Sequence, residues 1–272
     1  MNIRPNRVKR KLAEGKTAFV MAGVADADTI EQLGPCGADG FWLEGEHGPI
    51  DFADISGLTR ACDIWGMTSV LRIHQNEYGV IYRALDRGAQ GLVMPHVNTR
   101  EEAENFVRSA KFAPIGKRGM FTSRQGYGVP DYFKRANDET LLVILIEDIA
   151  AVRSLDSILK VDNIDVFFVA PSALATSMGH IGDFGHPEVQ KVLDGALTKI
   201  VRSGRTAGAL TGNDGVERLA NLGVRFFMTG INPWIEAGVK QFAQNAAKGT
   251  AASATKRRAG PQQGGARRGA RK

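Results

Sequence analysis

The feature that most constrains this chain is an alternation. Eight short apolar runs recur along it: Thr17–Met21, Gly40–Leu43, Ser69–Arg72, Gly91–Pro95, Leu141–Glu147, Val166–Ala170, Thr206–Leu210 and Phe226–Gly230. Amphipathic stretches of helical period separate them, among them Ala53–Trp65, Val80–Arg87, Arg100–Lys111, Ala150–Leu159, His186–Arg202, Gly215–Leu222 and Pro233–Ala247. Strand followed by helix, repeated, is the pattern of parallel βαβ units. Eight such units in about 245 residues predict an α/β protein with a single closed (β/α)8 (TIM) barrel. A doubly wound open sheet is the alternative. It commonly uses fewer strands, and no GxGxxG phosphate loop follows the first run. A nucleotide cofactor is therefore not expected.

The barrel is expected over residues 1–247, with a disordered basic tail over 248–272. The tail, KGTAASATKRRAGPQQGGARRGARK, has no aliphatic side chain larger than alanine to offset the entropy of ordering. It also dominates the charge. The formal net charge is +6, and from Gly249 onward there are seven Lys and Arg and no acid, which leaves −1 for residues 1–248. The body thus gives no charge-based case for nucleic acid. The tail alone is suited to RNA or an acidic partner, and a solvated appendage is the competing reading.

No apolar run approaches the ~20 residues that span a bilayer. The basic N-terminus, MNIRPNRVKRKLAEGK, has no apolar core behind it and does not read as a secretory signal. Two cysteines, Cys36 and Cys62, fit a reduced cytoplasmic setting without a disulfide framework.

In a barrel the active site is built where strands end. The second run ends in Glu44, Glu46 and His47 on a Gly/Pro turn, GFWLEGEHGPI. The third ends in Arg72 and is followed by His74, the fourth in Pro95 and His96, and the fifth in Glu147 and Asp148. The sixth, seventh and eighth end in Ala170-Pro171-Ser172, Leu210-Thr211 and Thr229-Gly230. A histidine to move protons, an arginine to grip a carboxylate and a carboxylate on one face suit an anionic 2-oxo acid. His74 and His96 have the weaker cases and read as supporting residues. The connection between Lys111 and Leu141, rich in Gly, Arg and aromatics, is read as a long βα loop suited to a lid or substrate clamp, or as a plain surface excursion.

Several segments, in order and at matching spacing, carry a resemblance: LEGEHGP, VLRI, ALDRGAQGLVMPHVNTREEAE, KFAPIGKRG, ILIED, APSALATSMG and GHPEV. Over most of residues 15–245 the chain resembles the HpcH/HpaI family of class II pyruvate aldolases, such as the 4-hydroxy-2-oxoheptanedioate and 2-dehydro-3-deoxyglucarate aldolases. The resemblance implies a (β/α)8 barrel of the phosphoenolpyruvate/pyruvate type, assembled as a homo-oligomer (a hexamer or trimer). It implies reversible, metal-assisted cleavage of 4-hydroxy-2-oxo acids to pyruvate and an aldehyde.

Carried onto this sequence, the resemblance makes His47 the catalytic base and Glu44 the acid that pairs with it. Arg72 binds the pyruvate oxygens, and Asp86 reaches a neighbouring subunit's histidine. Glu147 is a metal ligand. Ser172 lies at the carboxylate site, and Thr122 and Leu210 line the pocket. The chain departs from the family at two places. Ala173 stands where an aspartate completes the metal site, and Leu145 stands where a glutamine is usual. A divalent Mg²⁺, Mn²⁺ or Co²⁺ is then expected to be weakly held, completed by substrate and water. The alternative is a barrel that binds a 2-oxo acid without metal-dependent turnover.

Overall fold

The computed structural model describes residues 1–258, without the side chains of residues 251–258. Eight parallel strands close into a barrel in sequence order. They are β1 (Ala18–Ala22), β2 (Gly40–Glu44), β3 (Thr68–Arg72), β4 (Gly91–Met94), β5 (Leu141–Ile146), β6 (Val166–Val169), β7 (Ala207–Leu210) and β8 (Phe226–Gly230). β8 pairs back onto β1, with Ala18 opposite Phe226. The helices run α1 (Arg7–Ala13), α2 (Ala27–Leu33), α3 (Phe52–Ile64), α4 (Tyr78–Asp86), α5 (Arg100–Ala110) and α6 (Tyr132–Glu139). They continue as α7 (Ile149–Arg153), α8 (Leu155–Ile158), α9 (Pro171–Ser177), α10 (Pro187–Arg202), α11 (Asn213–Leu222) and α12 (Asn232–Arg258).

Strand parity decides what enters the barrel, because successive side chains point to opposite faces. Val20, Trp42, Val70, Val93, Val143, Leu145, Val166, Phe168 and Phe226 interdigitate in one buried cluster. Two residues further along the same inward rows stand Glu44 on β2, Arg72 on β3 and Glu147 after β5. The polar rim is thus the continuation of the core rows past the point where the barrel is packed.

The N-terminal end is plugged by α1. Val8 joins the interior cluster, Asn6 Nδ2 donates to the carbonyls of Gln90 and Glu139, and Lys11 pairs with Asp39 at 2.8 Å. All three contacts lie where strands begin.

The connection expected to be a lid lies at this same end. It follows α5 and precedes β5, so it is an αβ connection, and part of it folds as α6. It is tied down by Arg124 to Asp63 at 2.6 Å, Gln125 Nε2 to the Gly88 carbonyl at 2.8 Å and Arg118 to Asp86 at 2.6 Å. Within one chain it does not cover the C-terminal mouth.

Residues 248–258, expected to lack structure, continue α12 as helix. Seven of its eleven residues are alanine, lysine or arginine, which are good helix formers. The rest of the expected tail, residues 259–272, lies outside the described residues. By contacts the described residues form two units, the second beginning at Ile231.

Lys111 is 1% exposed, and its Nζ donates to the carbonyls of Asn137 at 2.6 Å and Thr140 at 2.7 Å. Burial, helped by nearby Lys9, pulls its pKa down to about 7. An unfolded lysine titrates near ~10.4, so between these values the unfolded chain binds more protons and stability rises with pH. The penalty is fully present below about pH 7. Urea midpoints at pH 7 and pH 8.5 are expected to rise more in the wild type than in Lys111→Met. Equal slopes would show that the amine stays charged in the fold.

Candidate active site

β2 delivers Glu44 at its last inward position, directly beside Arg72 in the β2–β3 register. Arg72 Nε lies 3.0 and 2.8 Å from the two Glu44 oxygens, and Nη2 lies 2.7 Å from Oε2. Trp42 Nε1 donates to the same carboxylate at 3.2 Å. Glu44 also anchors the turn, since Oε1 accepts the backbone N–H groups of Glu46 at 2.9 Å and His47 at 3.0 Å. Burial pushes the Glu44 carboxyl up, but the Arg72 hydrogen bond and those two N–H groups outweigh it and hold it below the usual glutamate value.

The turn is tight because its glycines allow it. A Cβ on Gly45 would sit 2.7 Å from the Arg72 carbonyl oxygen, and one on Gly48 would sit 2.6 Å from that of Glu44. The turn aims Glu46 inward, with its side chain 9% exposed. Arg72 Nη1 reaches Glu46 at 2.9 Å. The His47 imidazole stands at the rim, 73% exposed, with Nε2 3.8 Å from Glu46. Glu44 therefore contacts the backbone of residue 47 and pairs with Arg72, not with the imidazole. The physical reason is register: the guanidinium stands directly opposite on the next strand, whereas the turn carries the imidazole out to the rim.

His96 sits between two carboxylates. Its Nε2 is 3.1 Å from Glu46 Oε1, and its Nδ1 is 3.3 Å from Glu147 Oε1. Its backbone N–H also donates to Glu147, at 2.7 Å. The backbone at His96 is left-handed, φ 54°. That bend turns the ring inward after β4.

The sequence places Glu46 at the end of the second run without assigning it a role, and it ranks His96 as a supporting residue. Glu46 shares the inward parity of Trp42 and Glu44, a signal that was available. His96 enters through a backbone bend that no pattern marks.

The remaining expected residues divide by location. Ser172 is exposed at the start of α9, and Leu210 closes β7 at 38% exposure. Asp148 caps α7, accepting from the Ala150 N–H at 2.6 Å, so it does not replace a ligand at Ala173. Leu145 is 1% exposed inside the barrel, one inward position below Glu147. His74 lines a cavity outside β2 and β3, with Pro49, Phe52 and Ile73. Asp86 ends α4 and is bound to Arg118, at the end of the barrel opposite the mouth. Thr122 is exposed on the αβ connection at that same end. One chain therefore does not bring Asp86 or Thr122 to the mouth.

The charges at the mouth do not balance. Glu44, Glu46 and Glu147 face one guanidinium, a formal surplus of two negative charges when the histidines are neutral. That surplus favours a cation, but Glu44 and Glu46 are engaged by Arg72 and the three carboxylates do not converge as a ready ligand set, so substrate and water oxygens would have to complete the coordination of a hard divalent ion. Glu147 would hold it, with Glu46 nearby.

The sequence model of the HpcH/HpaI aldolase/citrate lyase family matches residues 18–233. The chain belongs to this family. A hydroxypyruvate/pyruvate aldolase of Roseovarius nubinhibens is 35% identical over 233 residues, covering 84% of this chain and 91% of that protein. A 5-keto-4-deoxy-D-glucarate aldolase of Salmonella paratyphi C is 33% identical, covering 76% and 82%. The crystal structure of an HpcH/HpaI aldolase from Desulfitobacterium hafniense superposes with a TM-score of 0.79 at 28% identity, over 86% of this chain and 95% of that one. The residues matched by the family model run from the start of β1 past the end of β8.

Proposed function

We propose that the chain is an aldolase-type carbon–carbon lyase that cleaves 4-hydroxy-2-oxo acids reversibly to pyruvate and an aldehyde. The observation that carries this reading is the Arg72 guanidinium fixed between Glu44 and Glu46 beside His47. A guanidinium has five N–H donors. Those on Nε, one on Nη1 and one on Nη2 are directed at the two glutamates. One hydrogen on each Nη is left for the carboxylate and 2-oxo oxygens of a substrate. His47 takes the proton from the C4 hydroxyl as the C3–C4 bond breaks. The bonding pair is left as the pyruvate enolate, and a proton returned to C3 completes the reaction. Arg72 faces the charge that develops on the enolate.

Glu147 would hold a divalent cation, weakly because Ala173 supplies no ligand, and such an ion would supply charge stabilisation for that enolate. Ser172 and Leu210 contribute to the substrate side of the mouth. Asp86 and Thr122 act on the mouth of a neighbouring copy in a homo-oligomer, a hexamer or trimer. The catalytic unit is the barrel within residues 1–247. Among the described residues no helix is long and apolar enough to cross a membrane, and Cys36 and Cys62 are both free, which supports a cytoplasmic setting.

The loss of polar residues at Leu145 and Ala173 favours a second reading, a barrel that binds a 2-oxo acid without turnover. Pyruvate release from a panel of 4-hydroxy-2-oxo acids, with Mg²⁺, Mn²⁺ or Co²⁺ and with chelator, decides between them. Release from none of the panel under any condition would leave the binder.

The metal assignment has its own readout. In calorimetry, Mn²⁺ is expected to bind the wild type weakly and more tightly with pyruvate. Ala173→Asp is expected to tighten it roughly ten- to a hundredfold, by restoring a bond and a compensating charge. Tight wild-type binding that Ala173→Asp leaves unchanged would mean that another residue completes the site.

A further inference from the structure

A second cluster of ligand-type side chains lies away from the barrel mouth, on the connection from α9 to α10. The segment reads GHIGDFGHPE, residues 179–188. Two turns fold it. The Asp183 N–H donates to the His180 carbonyl at 3.0 Å, and the His186 N–H donates to the Asp183 carbonyl at 3.2 Å. Gly179 and Gly182 adopt left-handed backbone, at φ 86° and 78°, which favours glycine.

The result is a stack of two imidazoles. His180 and His186 lie with ring centroids 3.7 Å apart and planes 19° from parallel. Glu188, in the first turn of α10, points its carboxylate at them, with His180 Nε2 3.5 Å from Oε2. Donor atoms of all three side chains lie within 4.8 Å of one another. Among the described residues, no other group of three histidines, cysteines or carboxylates converges in this way.

We infer that His180, His186 and Glu188 form a second divalent-cation site, selective for a borderline metal of the Zn²⁺ or Co²⁺ class. Two imidazoles and one carboxylate are a donor set for such ions, whereas Mg²⁺ and Mn²⁺ prefer oxygen. Imidazole ligates a metal through its unprotonated nitrogen. The His186 Nδ1 accepts a long capping bond, 3.3 Å, from the Glu188 N–H. That bond is a small loss if the ring turns toward an ion. Glu188 is 74% exposed at its side chain, which leaves an entry path and open coordination positions for water.

The ion would clip the start of α10 to the end of α9, the helix that carries Ser172 and Ala173. It would thereby order residues 179–186, including the exposed Ile181 and Phe184, without joining the chemistry at the mouth.

The test is Co²⁺ titration of the full chain, followed by visible absorption, with Zn²⁺ calorimetry in parallel. Four proteins are compared: wild type, His180→Gln, Glu188→Gln and Glu147→Gln. One tightly bound Co²⁺ or Zn²⁺ per chain is expected in the wild type, beyond any weak uptake at the mouth, and one in Glu147→Gln, whose mouth site is removed. Affinity is expected to fall at least about tenfold in His180→Gln and in Glu188→Gln. Glu188→Gln changes an exposed side chain and guards against a folding defect in the histidine variant, with circular dichroism as the control. The inference is overturned if neither ion binds the wild type. It is equally overturned if the tight binding is unchanged in both His180→Gln and Glu188→Gln, or if Glu147→Gln alone abolishes it.

Discussion

Replacing Arg72 with methionine is expected to lower pyruvate release by roughly 10²–10³-fold, the cost of losing a donor aimed at developing negative charge. It is also expected to destabilise the fold. Arg72 is the cation that joins Glu44 and Glu46, and the three side chains are 17%, 26% and 9% exposed. Removing a buried pair's partner costs ~3–5 kcal/mol, and partial exposure discounts this to about 2–4 kcal/mol here. For a domain of this size that is a fall in Tm of roughly 5–15 °C.

The pH dependence has a definite sign. Glu44 titrates below its usual value in the fold, so its contribution is present above the ordinary glutamate pKa and is lost as pH falls through the lowered one. Arg72→Met should flatten that acid limb. Arg72→Lys should fall between wild type and Arg72→Met in stability, because an ammonium keeps the charge but cannot bridge both carboxylates with a planar fork. Adding Glu44→Gln to Arg72→Met should recover part of the Tm and none of the turnover. An Arg72→Met protein with wild-type kcat and KM would remove Arg72 from substrate binding.

The same residues show what a sequence can and cannot convey. The eight runs lie within a residue or two of the observed strands, as in Thr17–Met21 against Ala18–Ala22 and Ser69–Arg72 against Thr68–Arg72. Apolar rows of period two have one way to be buried in a closed barrel, and that also fixes Glu44, Arg72 and Glu147 at its mouth. Which cation each carboxylate meets is set by register and turn geometry, which composition does not encode. Glu44 was expected at His47 and is bound to Arg72, its neighbour across the β2–β3 ladder. Glu46 and His96 enter the site through a glycine-tight turn and a left-handed residue. Asp86 and Thr122 illustrate a second limit. A resemblance carries over residues that work in an assembly, and in one chain both lie at the opposite end of the barrel.

The base is the sharper test, because it can be removed without disturbing its surroundings. His47→Ala is expected to reduce kcat by ~10²–10⁴-fold, the usual worth of a positioned proton acceptor. KM for the 2-oxo acid should change little, since Arg72 holds the substrate. The fold should be unaffected. What the structure uses at position 47 is the backbone N–H, which donates to Glu44, and alanine keeps it. The imidazole is 73% exposed and packs little, so its loss should move stability by no more than about 0.5 kcal/mol. Exchange of the pyruvate methyl protons into D₂O, followed by NMR, isolates proton transfer at C3 from the aldehyde half of the substrate. It should fall in parallel with cleavage. Exchange and cleavage at wild-type rates in His47→Ala would take the role from His47. It would then pass to His96, the other imidazole in contact with Glu46, and His96→Ala would be the variant that loses exchange.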